Sequence, residues 1–297
     1  MSFLNPVNEP VLRFKSTDAG APQINYNARV AGDVKAVLKA CLVTGYGAVA
    51  SAGWTAENEV SNVIEFVSPS AAMSDYRLGI DDTSTSSTTW YYQYQDARVN
   101  PSYNAPAKSF PSITAAHASN GWQMLVTERG ILFIELLQSS VLNEITARIT
   151  YWGNIKSALT STLGANIAFF NIGHGATLTS PPYFYSTSYT HLNIGGLSGL
   201  RLGDVTPFSV GAEYTMAVSV MDIVSSVYVY TPTQMVGQIP AIMTKVVNQS
   251  VGMYGVADTT LDTRPVFKVT LGNPIGNAAG LYARGRVVLL YTDFWEY

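Results

Sequence analysis

Near the start of the chain, apolar residues recur with the period of an α-helix. Five of them lie three or four positions apart and so share one helical face: Val34, Val37, Leu38, Cys41 and Leu42. Asp33 stands where an N-cap is expected, and Gly45 follows the last apolar position, as glycine commonly does after a helix. The pattern therefore predicts a short amphipathic helix over residues 33–44, with Cys41 as a small core residue on the buried face.

Elsewhere the pattern is that of β-structure, because short runs rich in Val, Ile, Tyr, Phe and Trp alternate with turn-forming residues. The runs predicted as strands are 11–15, 62–67, 76–80, 90–99, 123–128, 131–137, 144–151, 166–171, 208–221, 226–230, 266–271 and 286–292. A further short helix is expected at 156–163. The elements together predict a mainly β (α+β) protein, with antiparallel, sandwich-like sheets and one short N-terminal amphipathic helix.

Two prolines give the first ten residues the character of an extended N-terminal arm, 1–10. Pro6 and Pro10 fix their own φ and push the preceding residues out of the helical region. Phe3 and Leu4 have no apolar partner nearby in the sequence. We therefore expect the arm to lie on a neighbouring subunit and to contribute little to the fold of its own.

The rest of the chain is divided near residue 155 into an α+β domain, 11–155, and a β-rich domain, 156–297. A long segment rich in Gly, Ser, Thr and Pro, 173–207, is predicted as a loop within the second domain. A loop of this length is usually functional or is ordered by a partner. Its tyrosines could serve as protein-interface anchors or as sugar platforms: Tyr183, Tyr185 and Tyr189.

Charged residues are scarce, at 12% of 297 residues, and 17 Lys and Arg against 20 Asp and Glu give a net charge of −3. Without a basic field, nucleic acid is not an expected partner. A single cysteine excludes an intramolecular disulfide, and the longest apolar run, 131–137, is interrupted by Glu135 and is far too short to span a membrane. The proline-containing start is not typical of a secretion signal, so we expect a soluble protein made in a reducing compartment.

Residues that could carry chemistry are few and poorly spaced for it. His117, His174 and His191 are predicted in loops and lack the spacing of a metal site. The run 45–50 matches a degenerate G-x-G-x-x-A fingerprint, but a helix precedes it where a dinucleotide site needs a strand. No catalytic residue, cofactor or metal is predicted.

Three aspartates near one predicted strand, Asp75, Asp81 and Asp82, suggest a calcium site or a glycosidase pair. Asp75 belongs to a separate segment, and the loop lacks the alternating oxygen ligands of a calcium loop. The pattern favours a solvated turn over either site.

Three short runs near the start of the chain form a specific series. Residues 15–22 are KSTDAGAP, residues 34–47 are VKAVLKACLVTGYG, and residues 52–55 are AGWT. The series resembles a family of structural proteins of tailed-bacteriophage virions, whose opening has a STDAGAP turn, an LLDACLVTGYG helix and an AGWT turn.

Three later runs resemble the same family more loosely. They are YRLGIDDT at 76–83, ITYWGN at 149–154 and VGQIPA at 236–241. They are similar to the family's strand ending in Asp-Asp, its YFGD element and its RGxLPGL turn. Asn154 stands where the family usually has Asp, and Ala241 where it commonly has Gly.

The resemblance implies a non-enzymatic virion subunit that forms a symmetric ring or array at the collar, tail or baseplate. Its expected partners are other copies of itself and other phage structural proteins, and its expected location is the virion, after synthesis in the host bacterial cytoplasm. The candidate interface residues are Phe3, Leu4, Tyr183, Tyr185 and Tyr189.

Three alternatives to this function stay open at this point. One is a capsid decoration protein, and another is a cell-wall hydrolase, which would need a carboxylate held in an apolar pocket. The third is a receptor-binding or carbohydrate-binding module of the tail that recognises a host surface glycan through the tyrosines of the 173–207 segment and the indole rings of Trp54, Trp90 and Trp122.

Overall fold

A computed structural model gives the fold of the protein. It describes residues 6–25, 28–74, 76–85, 87–94, 108–111, 117–139, 145–157, 167–173, 190–193, 201–203, 224–230, 235–248, 255–271 and 284–297. Within these residues the strands are, in chain order, β1 (Asn8–Pro10), β2 (Leu12–Lys15), β3 (Thr55–Val60), β4 (Val63–Val67), β5 (Tyr76–Asp81), β6 (Ser87–Tyr94), β7 (Lys108–Pro111), β8 (His117–Thr127), β9 (Gly130–Ser139), β10 (Ile145–Asn154), β11 (Lys156–Ser157), β12 (Ile167–Gly173), β13 (Thr190–Asn193), β14 (Arg201–Gly203), β15 (Val224–Tyr230), β16 (Met235–Asn248), β17 (Gly255–Leu261), β18 (Arg264–Leu271), β19 (Arg284–Tyr291) and β20 (Phe294–Glu296). The mainly β fold class predicted from the sequence is confirmed.

The helix predicted over 33–44 is confirmed, although its second half is a π-helix, which has more residues per turn than an α-helix. Helix α1 (Asp33–Lys39) continues directly into a π-helical segment, Ala40–Thr44, and the backbone N–H of Gly45 closes that segment by donating to the carbonyl of Ala40 at 2.8 Å. All five residues of the predicted apolar face are buried. Asp33 is not the N-cap, because Gly32 occupies that position with a φ of 96°.

The strands form three large sheets and one small ribbon, and every pairing is antiparallel. The first sheet has the order β3-β4-β5-β6-β7, and the central sheet has the order β13-β12-β10-β9-β8-β2. The third sheet has the order β14-β15-β16-β19-β18-β17, with β11 paired to β16, and the ribbon consists of β1 and β20.

The central sheet is covered on both faces, which makes the fold a three-layer arrangement. Alternate residues of β8 and β9 pack against the first sheet: Trp122, Met124, Val126, Ile131 and Phe133. The intervening residues pack against the third sheet: Leu125, Leu132, Ile134 and Leu136. A strand buried on both faces reads as a continuous apolar run. This burial explains why residues 131–137 show no alternation of apolar and polar positions.

Most of the predicted strand runs lie on observed strands. The runs at 11–15, 62–67, 76–80, 123–128, 131–137, 144–151, 166–171, 226–230, 266–271 and 286–292 each coincide with one strand to within a few residues. The run at 90–99 overlaps β6 as far as residue 94, and the run at 208–221 lies outside the described residues.

Several strands were not predicted, for two different reasons. Strands β3 and β17 are largely exposed and therefore polar, so they lack an apolar signal. The 14-residue strand β16 contains Pro240, which lies where the register with β15 shifts between Gln238 and Met243. Such a shift accommodates a proline, which disrupts a regular central strand.

Two predictions in the second half are wrong where the structure describes them. The helix expected at 156–163 begins instead with β11, whose residues pair with Gly237 and Gln238; residues 158–163 lie outside the described part of the chain. The segment 173–207 is not entirely loop, because it includes β13 and β14.

The arm is extended at residues 8–10, but these residues belong to their own subunit. Strand β1 pairs with β20, and Val7 and Tyr297 exchange two backbone hydrogen bonds of 2.9 Å. The expectation that the arm adds little to its own fold is therefore wrong for residues 7–10.

The apolar cluster between the central and third sheets contains residues from both sides of position 155. The domain boundary near that position stays a prediction.

Candidate functional site

The most densely bonded carboxylate among the described residues is that of Asp82. One of its oxygens accepts hydrogen bonds from Arg29 and from the Thr88 hydroxyl, the latter at 2.9 Å. The other accepts from the backbone N–H groups of Val34 and Lys35, at 2.8 and 3.1 Å. The carboxylate thus satisfies two free amides at the start of α1 from outside the helix, where a negative charge is favourable.

The surroundings of Asp82 show that its role is structural. The side chain is fully buried, and the Arg29 side chain that pairs with it is 3% exposed. The backbone of Asp82 also bonds to Gly32 and Asn62, at 2.9 and 3.0 Å. The interpretation as a solvated turn is therefore wrong for Asp82, and Asp75 lies outside the described residues.

The turns at 16–22 and 45–47 pack against each other and against the central sheet. The Tyr46 hydroxyl donates to the Asp18 carboxylate at 2.8 Å. Gly47, with a φ of 53°, lies so close to Ala19 that a Cβ would be 2.3 Å from the Ala19 carbonyl oxygen. Trp122 of β8 completes the contact by donating from its indole nitrogen to the Pro22 carbonyl at 2.9 Å. The quoted motif residues therefore build the fold at this point.

A second polar cluster joins the β1–β20 ribbon to the turn between β8 and β9. The Arg129 guanidinium lies 2.6 Å from the Glu9 carboxylate and 5.3 Å from the centre of the Tyr297 ring. The Tyr297 hydroxyl shares a hydrogen bond of 2.9 Å with the Thr127 hydroxyl. Burial raises the pKa of Glu9 despite the attraction of Arg129, and repulsion from Glu128 adds to the increase.

The same β8–β9 turn, residues 127–130, also holds neighbouring segments in place. Its carbonyl oxygens accept hydrogen bonds from the Trp54 indole at 3.3 Å, from the Ser68 hydroxyl, and from the backbone N–H of Asn154 at 2.9 Å. These donors come from the start of the first sheet and from the end of β10. The turn is therefore the point at which the first sheet, the central sheet and the terminal ribbon meet.

A third buried pair lies within the central sheet. Glu135 of β9 and Arg148 of β10 are opposite each other in the strand register, and their side chains form an ion pair. Glu135 alternates with Ile131 and Phe133, so it points to the side of the first sheet. The signal that could have identified the Glu135–Arg148 pair is the isolated charge of Glu135 within the apolar run 131–137.

The three tryptophans considered as sugar platforms are core residues. Trp54, Trp90 and Trp122 are between 0 and 3% exposed. The Trp54 ring contacts Trp152 at a centroid distance of 5.6 Å, and the Trp90 ring lies 6.1 Å from Phe133. The expectation that these indoles could bind a glycan is therefore wrong, because a sugar platform must be open to solvent.

The candidate interface residues Phe3, Leu4, Tyr183, Tyr185 and Tyr189 all lie outside the described residues. Two of the histidines were predicted in loops but lie in strands. The prediction was wrong because the polar residues at the ends of these strands give no apolar signal. His117 is in β8 and His191 is in β13; His174 is outside the described residues.

Cys41 is fully buried, and burial raises the pKa of its thiol, so its predicted place in the core is confirmed. Within the described residues, no three His, Cys, Asp or Glu side chains are grouped so as to hold a metal ion. None of the helices in the described part of the chain is long and apolar enough to cross a membrane.

Comparison of the chain with protein-family models, curated proteins and solved structures finds no match.

Proposed function

We propose that the protein is a non-enzymatic structural subunit of a tailed-bacteriophage virion. It assembles in many copies into a symmetric ring or array at the collar, tail or baseplate. Its partners are other copies of itself and other structural proteins of the phage, and it reaches the virion after synthesis in the host bacterial cytoplasm.

The observation that supports this proposal is that the motif residues and the buried charges of the described part of the chain form structural contacts. The turns at 16–22 and 45–47 pack on each other, and Trp122 of the central sheet bonds the carbonyl of Pro22. Trp54 bonds the 52–55 segment to the central sheet through the carbonyl of Thr127. The buried carboxylates of the described residues each bond a partner on another segment, as Asp82 does with Arg29. A catalytic carboxylate instead needs access to substrate.

The low charge of the chain also favours a subunit that makes extensive protein contacts. Interfaces are depleted in Lys, Glu and Asp and enriched in aromatic residues, and this chain has 12% charged residues with 18 Tyr, 11 Phe and 5 Trp. A glycan-binding module is less well supported, because the indoles proposed as its platforms are buried.

Mass spectrometry of purified virions, together with negative-stain imaging and mass photometry of the purified protein, tests the proposal. We expect the chain in gradient-purified particles at multiple copies, and closed rings or regular arrays of the purified protein. A non-structural protein of the same phage serves as the control for carry-over. Absence from the particles, or turnover of peptidoglycan by the concentrated protein, would overturn the proposal.

A further inference from the structure

Strand β17 forms an outer edge of the third sheet and is exposed along most of its length. Residues 257–260 are all exposed, and no described strand pairs with the side of β17 opposite β18. Among the outer strands of the three large sheets, β17 is the longest at seven residues, and its register with β18 is unbroken. The next longest, β3, has six residues and a register shift between Glu57 and Val60. A bulge of this kind protects an edge from pairing, whereas a regular edge is a template for another strand.

The hairpin geometry determines which backbone groups of β17 point outward. Asp262 and Thr263 form a two-residue turn with φ values of 47° and 71°, so the flanking pair, Leu261 and Arg264, is hydrogen-bonded. The next pair, Thr260 and Pro265, is then not hydrogen-bonded. The carbonyl of Pro265 confirms this alternation, because it points away from β17 and accepts a hydrogen bond from the backbone N–H of Thr292 on the other side of β18.

Hydrogen-bonded and non-hydrogen-bonded pairs alternate along an antiparallel ladder. Thr259 and Ala257 therefore direct their N–H and C=O groups towards β18. The N–H and C=O groups of Val256, Asp258 and Thr260 face outward, towards the free side of the edge.

We propose that the β17 edge is a self-association surface, which binds β17 of a second copy of this chain in an antiparallel pair about a two-fold axis. Three registers centred within the strand bring the outward groups of both strands together. One centres on Asp258 and places the two carboxylates directly opposite each other, which is destabilising. Another centres on Ala257 and places two alanines at the axis, so it lacks a stabilising side-chain pair there. The third centres on Thr259, so that Asp258 of each copy exchanges two hydrogen bonds with Thr260 of the other. The pair is formed in the Thr259-centred register, with four hydrogen bonds across the axis.

The charges beside the edge are compatible with this register. Arg13 of β2 binds the Asp258 carboxylate of its own chain at 2.6 Å, and its guanidinium lies 5.0 Å from the ring centre of Phe267. This pairing reduces the repulsion between the two Asp258 carboxylates, which are diagonal neighbours in the pair. At the axis, Thr259 meets Thr259 of the second copy, and threonine pairs of this kind stabilise antiparallel strands.

The inference names one contact of the proposed multi-copy assembly and rests on that proposal. Because a two-fold pair closes at two copies, a ring or array needs a second, different interface as well. Its test is oxidative cross-linking of the purified full chain with diamide. Cys41 is buried, so an introduced cysteine is the reactive thiol. In the Thr259→Cys variant, the two Cα atoms at the axis are about 4.5 Å apart, within the range that a disulfide can bridge. We expect a covalent dimer of about twice the 32.0 kDa chain mass.

Ala257→Cys is the matched control, because it lies on the same face of the same exposed strand. In the Thr259-centred pair the two residues 257 are four positions out of register, roughly 13 Å apart, and cannot form a disulfide. Adding Thr260→Pro to Thr259→Cys removes an outward N–H without breaking the hairpin, and should lower the dimerisation constant roughly tenfold or more.

The proposal is overturned if the two cysteine variants cross-link equally, if neither cross-links, or if Thr260→Pro leaves cross-linking unchanged. These outcomes are separate from the failure of the proposed function. A chain that is present in virions and assembles, but does not cross-link selectively through Thr259, contradicts the β17 edge alone. A chain that cross-links through Thr259 but is missing from virions contradicts the virion role alone.

Discussion

Replacing Asp82 by alanine should destabilise the protein more than its place in a segment rich in Asp, Ser and Thr suggests. The substitution removes four acceptor contacts from Arg29, Thr88 and the first amides of α1, and leaves the buried Arg29 guanidinium without its charge partner. Breaking a buried ion pair by removing one partner costs about 3–5 kcal/mol, and loss of a helix cap costs about 1 kcal/mol. Because these contributions overlap, we expect a loss of about 4 kcal/mol in the free energy of unfolding.

Urea denaturation followed by tryptophan fluorescence measures this loss, and the neighbouring Asp81→Ala provides a matched control. Asp81 is partly exposed, and its carboxylate accepts a hydrogen bond from the backbone of Thr83 at 3.0 Å. Its removal should cost less than about 1 kcal/mol. Equal losses for the two alanine variants would refute the assignment of Asp82 as the residue that holds the start of α1.

Arg29→Ala and the double variant separate the ion pair from the helix cap. If the two charges depend on each other, the double variant should lose less stability than the sum of the single variants. Additive losses would mean that the ion pair contributes nothing and that the contacts of Asp82 with Thr88 and with the amides of Val34 and Lys35 account for its effect.

Four further predictions follow from the packing and the buried charges. Leu38→Ala should lower the free energy of unfolding by about 2–5 kcal/mol, whereas Val60→Ala at an exposed site should change it by less than about 0.5 kcal/mol, both measured in urea. Burial raises the folded-state pKa of Glu9 above its usual value of 4.5, so the ionised form of Glu9 lowers the free energy of unfolding at neutral pH. The free energy of unfolding of the wild type relative to Glu9→Gln should therefore rise as the pH falls through the raised pKa, and should level off below about 4.5. A difference that does not change with pH would contradict the burial effect. Cys41 should resist alkylation by iodoacetamide until the protein unfolds, as mass spectrometry would show. Deleting residues 1–10 should lower the melting temperature, because β1 and the Glu9–Arg129 pair are lost; an unchanged melting temperature would mean that the ribbon is dispensable.

The elements that could be predicted from the sequence are those whose burial leaves a periodic pattern. The helical face through Leu38 is an example, because its residues contact the core at every turn. Strand β9 was also predicted, although its apolar run, interrupted only by Glu135, could not reveal that one side faces the first sheet and the other side the third. That assignment depends on which strands become neighbours, and a local pattern does not contain this information.

The polar clusters could not be predicted for the same reason. Asp82 and Arg29 are 53 positions apart, and Glu9 and Arg129 are 120 apart, so no local spacing connects them. A carboxylate next to Ser and Thr residues is typical of a solvated turn, and that interpretation failed because the start of α1 lies over Asp82 in the fold. Likewise, β3 and β17 are strands because they extend an existing ladder, since their own exposed residues give no apolar signal.

The short connection between β1 and β2 limits which part of the N-terminal arm is available for assembly. Strand β1 is joined to β2 by one residue, Val11, whose N–H donates to the Asp293 carbonyl at 2.9 Å. One residue extends the chain by only about 3.5 Å. Strand β1 therefore cannot leave β20 for another subunit while β2 stays paired with β8. Residues 7–10 consequently stay with their own subunit, and an assembly role for the arm must rest on the residues that precede Pro6.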